Sequence, residues 1–521
     1  MSVAIAGIRQ IDIPWAARIG TVAVGKDILE LLSSSMYIDP MTIYREYVQN
    51  AADAIDDASA SCLLPPAIRG RVDINLDPSA RMVRIRDNGT GIDEAAFHDR
   101  LTAFGASLKR GTSARGFRGV GRLAGIGYCQ ELVFRSRAAG ARRVSELRWD
   151  CRKIKAILRD ATFHGDLADL VSRTVETRRI DATGWPEHFF EVELRNVIRH
   201  RNDQLLDPGA VEQYLSQVAP VPFCPSFRYG QEIIAFLKEH LAPPCLEIAI
   251  SGGVTPVHRP HRDQFEISEG IEDRFNELQV LKVPAVDGRL AAVGWILHHG
   301  YKGAIPPKTM IRGLRIRSGN IQVGGHDLLQ ELFPEPRFNN WSVGEIYVVD
   351  PRIVPNGRRD HYEQNVHFDN ILNQLSPVAR DIASRCRNSS LVRNWAREFE
   401  RSEQSTKDKL GIIKQGTTGI ARQGEAAEEV KRILDKMERI TGRDLIPSEI
   451  RRRQRLTIGR IRRNLERVCS RLPKAKVLAQ MSPKERRLLE RVFNLVYECS
   501  ASQNAAKILV DRMLREMRGR N

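Results

Sequence analysis

Apolar residues recur at helical spacing through Ile43, Tyr47, Ala51, Ala54 and Ala58, and Asp39 with Pro40 stand where a helix is capped and begun. The pattern predicts a helix over residues 39–57. Glu46, Asn50, Asp53 and Asp57 follow one another at steps of four, three and four, which stacks their side chains along the opposite face. Taken alone, such a stripe reads as a solvated surface. Upstream, Ile11, Ile13 and Trp15 fit a strand and residues 25–36 a helix. Downstream the period changes to two: Val72, Ile74 and Leu76 alternate with polar residues, Asp77-Pro78-Ser79-Ala80 turns the chain, and residues 82–87 return, which is a hairpin. Further strands are expected at residues 131–137, 143–149 and 189–194, and a helix at 209–218.

After Pro220-Val221-Pro222-Phe223-Cys224-Pro225 the strand pattern resumes at residues 246–251, 278–283, 291–297, 313–317 and 344–349, with Asp287-Gly288 as a hairpin turn. Beyond about residue 370 the chain reads as helix. Gly411, Gly416, Gly419 and Gly424 mark an expected flexible interruption, and Val430, Ile433, Leu434 and Met437 resume helical spacing without sustained heptads. The expected domains are residues 1–225, 240–372 and 373–521. A helix layer against a mixed sheet is the architecture of the first.

Composition narrows the setting. A chain of 521 residues with formal charge +17 holds several cores and favours acidic partners. Residues 451–521 carry 20 Lys and Arg against 6 Asp and Glu, a net of +14, so most of the excess lies at one end. Eight scattered cysteines without a Cys-x2-Cys pair fit reduced thiols in a cytoplasmic protein, with neither a zinc site nor a disulfide framework. No basic leader precedes a long apolar run and no stretch approaches membrane length, so neither secretion nor a membrane partner is expected.

The chemistry sits in three motifs. The Glu46-x3-Asn50-x2-Asp53 helix comes first. The strand Val83–Arg86 then runs into Asp87-Asn88-Gly89-Thr90-Gly91, and Gly116-Phe117-Arg118-Gly119-Val120-Gly121 follows an Arg/Lys-rich stretch. Each glycine motif is weak alone. In this order they resemble the GHKL ATPases, the superfamily of gyrase B, heat shock protein 90, histidine kinases and MutL. The fold implied is α+β: a GHKL (Bergerat) α/β sandwich, then a ribosomal-S5-like α+β middle domain, then a helical C-terminal region.

The resemblance implies ATP and Mg²⁺ as cofactors. Asp87 would accept from the adenine amino group, a charge-assisted bond worth about 1.5 to 3 kcal/mol, with Gly89 and Gly91 letting backbone approach the purine. Asn50 is the implied Mg²⁺ ligand and Glu46 the general base toward water, a role worth about a hundred- to ten-thousand-fold. Asp53 would support the pocket and Asp57 face solvent. Gly116, Gly119, Val120 and Gly121 would offer amides to the phosphates and open a helix near Arg122, while residues 104–113 form a lid whose Lys109 is placed to touch phosphate. Thr183 in Ala182-Thr183-Gly184 matches a family position near the adenine, in altered glycine order.

Gly116-Phe117-Arg118-Gly119 is similar to MutL. Residues 29–55 and 213–223 resemble the heat shock protein 90 branch. So do Gly344–Asp350 and Ile353–Asp360, a middle-domain segment whose arginine reaches the γ-phosphate: Arg359 matches best, with Arg358 as the alternative. The C-terminal helices resemble no chaperone dimerisation domain. The resemblance therefore implies an ATP-hydrolysing, homodimeric conformational machine of the heat shock protein 90 type, acting on a client protein. The alternative is a microrchidia- or MutL-like ATPase that engages DNA through the basic tail, and a non-catalytic scaffold is the third reading.

Overall fold

The computed structural model describes residues 24–27, 29, 39–65, 68–104, 121–241, 246–251, 253, 255–470 and 475–518. The strand expected at residues 11–15, nearly all of the helix expected at 25–36, and the segment 105–120 with Lys109, Gly116, Gly119 and Val120 lie outside them. The described residues divide into two compact units, one within Met1–His299 and Gly303–Arg380, the other within Gly300–Lys302 and Asp381–Asn521.

In the first unit, helix α1 spans Thr42–Ala60. Asp39 caps the turn leading into it: its carboxylate accepts the Met41 N–H at 3.1 Å and its carbonyl the Thr42 N–H at 3.0 Å. The helix start thus lies two residues later than Pro40 implied. The hairpin β1 (Arg71–Asp77) and β2 (Met82–Asp87) pairs as the turn predicted. Helix α2 (Glu94–Thr102) follows, then β3 (Glu131–Arg137), β4 (Arg143–Asp150), α3 (Cys151–Arg159), α4 (Leu167–Thr174), β5 (Val175–Asp181), β6 (Phe189–Arg195), α5 (Pro208–Val218) and α6 (Gly230–Lys238). Strand β7 (Glu247–Ile250), which the sequence pattern assigns to the second set of strands, instead pairs parallel with β1 and completes a seven-stranded sheet ordered β5-β4-β3-β6-β2-β1-β7. Parallel pairing across so long a loop leaves no local signal.

One face of this sheet is apolar. Val72, Ile74, Val83, Ile85, Leu132, Phe134, Val192 and Leu194 share a core with Ile43, Tyr47, Val48 and Ala51 of α1, and each large side chain buried contributes about 1.5 to 3 kcal/mol. The other face is a ladder of ions. Arg84 and Arg86 stand opposite Glu193 and Glu191, and Arg135 reaches Glu146, Glu191 and Glu193 at 2.6, 2.7 and 2.9 Å. The alternation Val83-Arg84-Ile85-Arg86 records both faces in four residues.

A six-stranded mixed sheet, ordered β12-β11-β13-β10-β9-β8, follows. Its strands are β8 (Gln264–Ser268), β9 (Ile271–Pro284), β10 (Leu290–His299), β11 (Gly313–Ser318), β12 (Ile321–Val323) and β13 (Val343–Val348). Gly288 turns the β9–β10 hairpin with φ +80°. Glu345 of β13 is buried between Arg259 and Arg317, with Arg317 Nη2 2.6 Å away. Arg317 Nη2 also donates to Gln217 O at 2.6 Å and Arg259 Nε to Val221 O at 3.0 Å, which pins the end of α5 to this sheet.

Helix α7 (Val366–Gln415) leads into the second unit, which continues with α8 (Ile420–Thr441), α9 (Ser448–Cys469), α10 (Lys476–Ala479), α11 (Pro483–Cys499) and α12 (Gln503–Arg518). The glycine-rich interruption is shorter than expected: Gly411 and Gly424 lie inside α7 and α8, and only residues 416–419 break the helix, with Gly416 at φ +64°. Val430, Leu434, Met437 and Ile440 of α8 pack on Ile458, Ile461, Leu465 and Val468 of α9. Among the described residues, no helix is long and apolar enough to cross a membrane, and seven cysteines are unbridged; Cys245 lies outside them.

Candidate active site

The polar stripe of α1 is not a solvated face. Glu46 is 7% exposed and Asp53 3%, Asn50 is half-buried, and only Asp57 stands in solvent. A segment of 3₁₀-helix, Gly121–Gly127, covers the stripe where a full α-helix was expected. Tyr47 supplies the reason: its hydroxyl donates to Arg122 O at 3.2 Å and accepts the Gly125 N–H at 2.9 Å, so that N–H is unavailable to a carbonyl four residues back. This clasp sets Gly121 against Glu46, and a Cβ there would fall on Glu46 Oε2. Arg122 donates to Ala103 O at 2.6 Å, tying together the two sides of segment 105–120.

Asp87 ends β2 at 5% exposure. Its Oδ1 accepts the Gly89 N–H at 2.9 Å, and it makes no ion pair among the described residues. Burial pushes its carboxyl up to about 7, against the backbone N–H groups of Gly89 and Phe190, which pull it down. The loop after it docks on α1, where Thr90 N–H donates to Ala54 O at 3.2 Å. The glycines of this loop have closer neighbours than a purine. A Cβ on Gly89 would come within 2.6 Å of Ala54 Cβ, and one on Gly91, at φ +68°, would collide with Arg137 O. Both positions are glycine because helix and sheet backbones press on the loop.

Two residues that sequence reasoning missed hold this loop. His188 Nδ1 lies 2.8 Å from Gly89 O, and Ser136 Oγ accepts the Ile92 N–H at 2.7 Å. Neither belongs to a motif; only the pairing of β6 with β2 and of β3 with β6 could have found them. Thr183 lies between β5 and β6. It is exposed in the turn that ends the edge strand β5, its N–H on Asp181 Oδ1 at 2.8 Å, and Phe190 is the residue opposite Asp87 on β6.

From the far end of the first unit comes a tight loop in which Asn356 N–H donates to His361 O at 2.9 Å. Arg359 sits there at 8% exposure with φ +56°, its Nε 3.6 Å from Glu46 Oε1. Arg45 Nε lies 3.6 Å from the same oxygen, and Arg45 Nη2 donates to Arg358 O at 2.9 Å. Of the two candidate arginines, Arg359 is the one brought to Glu46. Arg358 instead lines a cavity of about 350 Å³ with Thr42, Arg45, Tyr214, His326 and Asp360. Among the described residues, no group of three or more His, Cys, Asp or Glu side chains could hold a metal ion.

Alongside the buried carboxylates Glu46 on a helix and Asp87 at a strand end, residues 40–165 match the family model of the histidine kinase-, DNA gyrase B- and HSP90-like ATPases. Over these residues the chain is similar to the GHKL superfamily, and its curated relatives lie on the HtpG side. It is 36% identical over 74 residues to the chaperone protein HtpG of Chlorobium phaeobacteroides, covering 13% of this chain and 12% of that protein. It is 27% identical over 214 residues to HtpG of Photorhabdus laumondii (36% of this chain, 31% of that protein) and, over the same length, to HtpG of Yersinia enterocolitica (36% and 32%). The likeness thus spans at most about a third of the length of these curated relatives.

Proposed function

We propose that the chain binds and hydrolyses ATP in the cytoplasm as a conformational machine of the heat shock protein 90 type. One observation carries the reading: among the described residues Asp87 is a buried carboxylate that accepts from backbone N–H groups and forms no ion pair, at a loop docked on α1 through Ala54. An unpaired buried charge is costly, and a donor such as an adenine amino group offsets that cost. Asp87 binds and orients the base. Asn50 would hold Mg²⁺ through its amide oxygen, which suits a hard cation that keeps most of its waters, and the bound ion would neutralise phosphate charge. Glu46 takes the proton from the attacking water, with Gly121 leaving its carboxylate room. Arg359 stabilises charge at the phosphoryl group, as Lys109 and the amides of Gly116, Gly119 and Val120 would from the lid.

In this reading ATP closes the lid, promotes pairing of two copies, and hydrolysis resets both. A client protein is the partner that the likeness to HtpG supports; nucleic acid depends on the basic C-terminal helices rather than on this pocket. Phosphate release by the full chain with Mg²⁺ and ATP, with and without an unfolded polypeptide, tests it. Turnover raised by the polypeptide is expected, and absence of turnover with ATP still bound leaves a nucleotide-sensing scaffold instead.

A further inference from the structure

Helices α8 and α9 pack on each other but differ in charge. On α8, acids and bases alternate and pair: Lys431 with Glu428, Lys436 with Glu398, and Glu438 with Arg462 of α9, at 2.7 Å each. On α9 the outward face carries Arg452, Arg453, Arg455, Arg460, Arg463 and Arg467 against two acids, Glu449 in its first turn and Glu466. At 100° per residue these six arginines fall within about 160° of arc and span about 22 Å of helix. Arg460 approaches Glu403 at 3.5 Å, and the other five make no ion pair among the described residues. The middle of the face is open: Leu456 is 68% exposed, and a Cβ on Gly459 would meet nothing within 4 Å.

So many like charges on one face repel one another and weaken the isolated helix. Bound polyanion removes that repulsion, and guanidinium groups match phosphate by paired N–H donors. We propose that this face of α9 binds the phosphate backbone of double-stranded nucleic acid. A duplex presents one charge per about 1.7 Å of axis, which a 22 Å row of arginines can follow. The apolar face of α9 is committed to α8, which leaves no side to insert into a bilayer. This inference does not rest on the nucleotide pocket.

The test is fluorescence anisotropy of the full chain, without ATP, on a short DNA duplex, the matching RNA duplex, a single strand and anionic phospholipid vesicles. The expected result is duplex binding that weakens about 500-fold between about 50 and 200 mM salt, the slope for five phosphate contacts. Equal binding of both duplexes assigns the shared backbone, and preference for one names the source. Arg452→Gln/Arg460→Gln/Arg463→Gln should lower that log–log salt slope by about 2 to 3. A control with the same charge loss, Lys153→Gln/Arg159→Gln/Lys238→Gln, should leave it unchanged. If the first triple variant loses helix content by circular dichroism, Arg453→Gln/Arg455→Gln/Arg467→Gln takes its place. An unchanged slope in the α9 variant, an equal loss in the control, or retention by vesicles alone would overturn the proposal.

Discussion

Arg359 Nε and Glu46 Oε1 lie 3.6 Å apart, a buried contact between the two ends of the first unit. In this arrangement the guanidinium shares its charge with the carboxylate, and an incoming γ-phosphate competes for it. Arg359→Ala should lower kcat by about a hundred-fold or more while ATP affinity stays within about threefold. Because Arg359 has φ +56°, Arg359→Gly should lose the same turnover yet unfold at a higher temperature than Arg359→Ala, by about 1 kcal/mol of stability. Equal turnover in wild type and both variants would remove Arg359 from the site.

Gly121 gives an independent handle on the same carboxylate. In Gly121→Ala the new methyl would occupy the position of Glu46 Oε2, the far end of a flexible side chain, so the fold should persist while the base is displaced. Loss of turnover of about a hundred-fold, with the thermal midpoint nearly unchanged, is the expected pair of readings. Retained turnover would show that Glu46 needs no clearance there.

Asp87 makes a prediction in pH. Its folded value is raised from 3.8 to about 7, so between those values the folded state holds a proton that the unfolded chain has released. Stability from this group therefore falls as pH rises from about 4 to 7, by at most about 4 kcal/mol, and is flat above. Asp87→Asn, an uncharged isostere, should raise the unfolding midpoint at pH 8 yet abolish ATP binding. ATP affinity of the wild type should fall toward tenfold per unit below pH 7, because the ionised carboxylate is the acceptor. Calorimetric titration across that range decides, and normal ATP affinity in Asp87→Asn would overturn the pocket.

The sequence made the three motifs legible because each is local: a helical stripe, a strand ending in Asp87, a glycine run. It showed the β1–β2 hairpin and the Arg84/Arg86 face for the same reason. What it hid is what distant strands bring together. His188 and Ser136 reach the Asp87 loop through β6 and β3, and β7 joins β1 from more than a hundred residues away. The burial of Glu46 was hidden too, since the Tyr47 clasp that covers it depends on tertiary contact.

Glu345 lies between buried Arg259 and Arg317, which hold it well below the usual carboxylate range despite its burial. Glu345→Gln removes the carboxylate that both buried guanidiniums pair with and should cost about 3 to 5 kcal/mol. With its folded value lowered, the stability it contributes is present above the ordinary carboxylate range and lost only as pH falls toward its depressed value. Chemical denaturation at neutral pH checks the magnitude, and a loss below 1 kcal/mol would show the cluster to be dispensable.

The proposed division of roles has Glu46 act on water while Asp87 holds the nucleotide. Equilibrium ATP binding and phosphate release measured on one preparation of Glu46→Ala test it most directly. Wild-type affinity with turnover reduced at least about a hundred-fold is expected. Turnover equal to wild type, or loss of binding together with turnover, would contradict it.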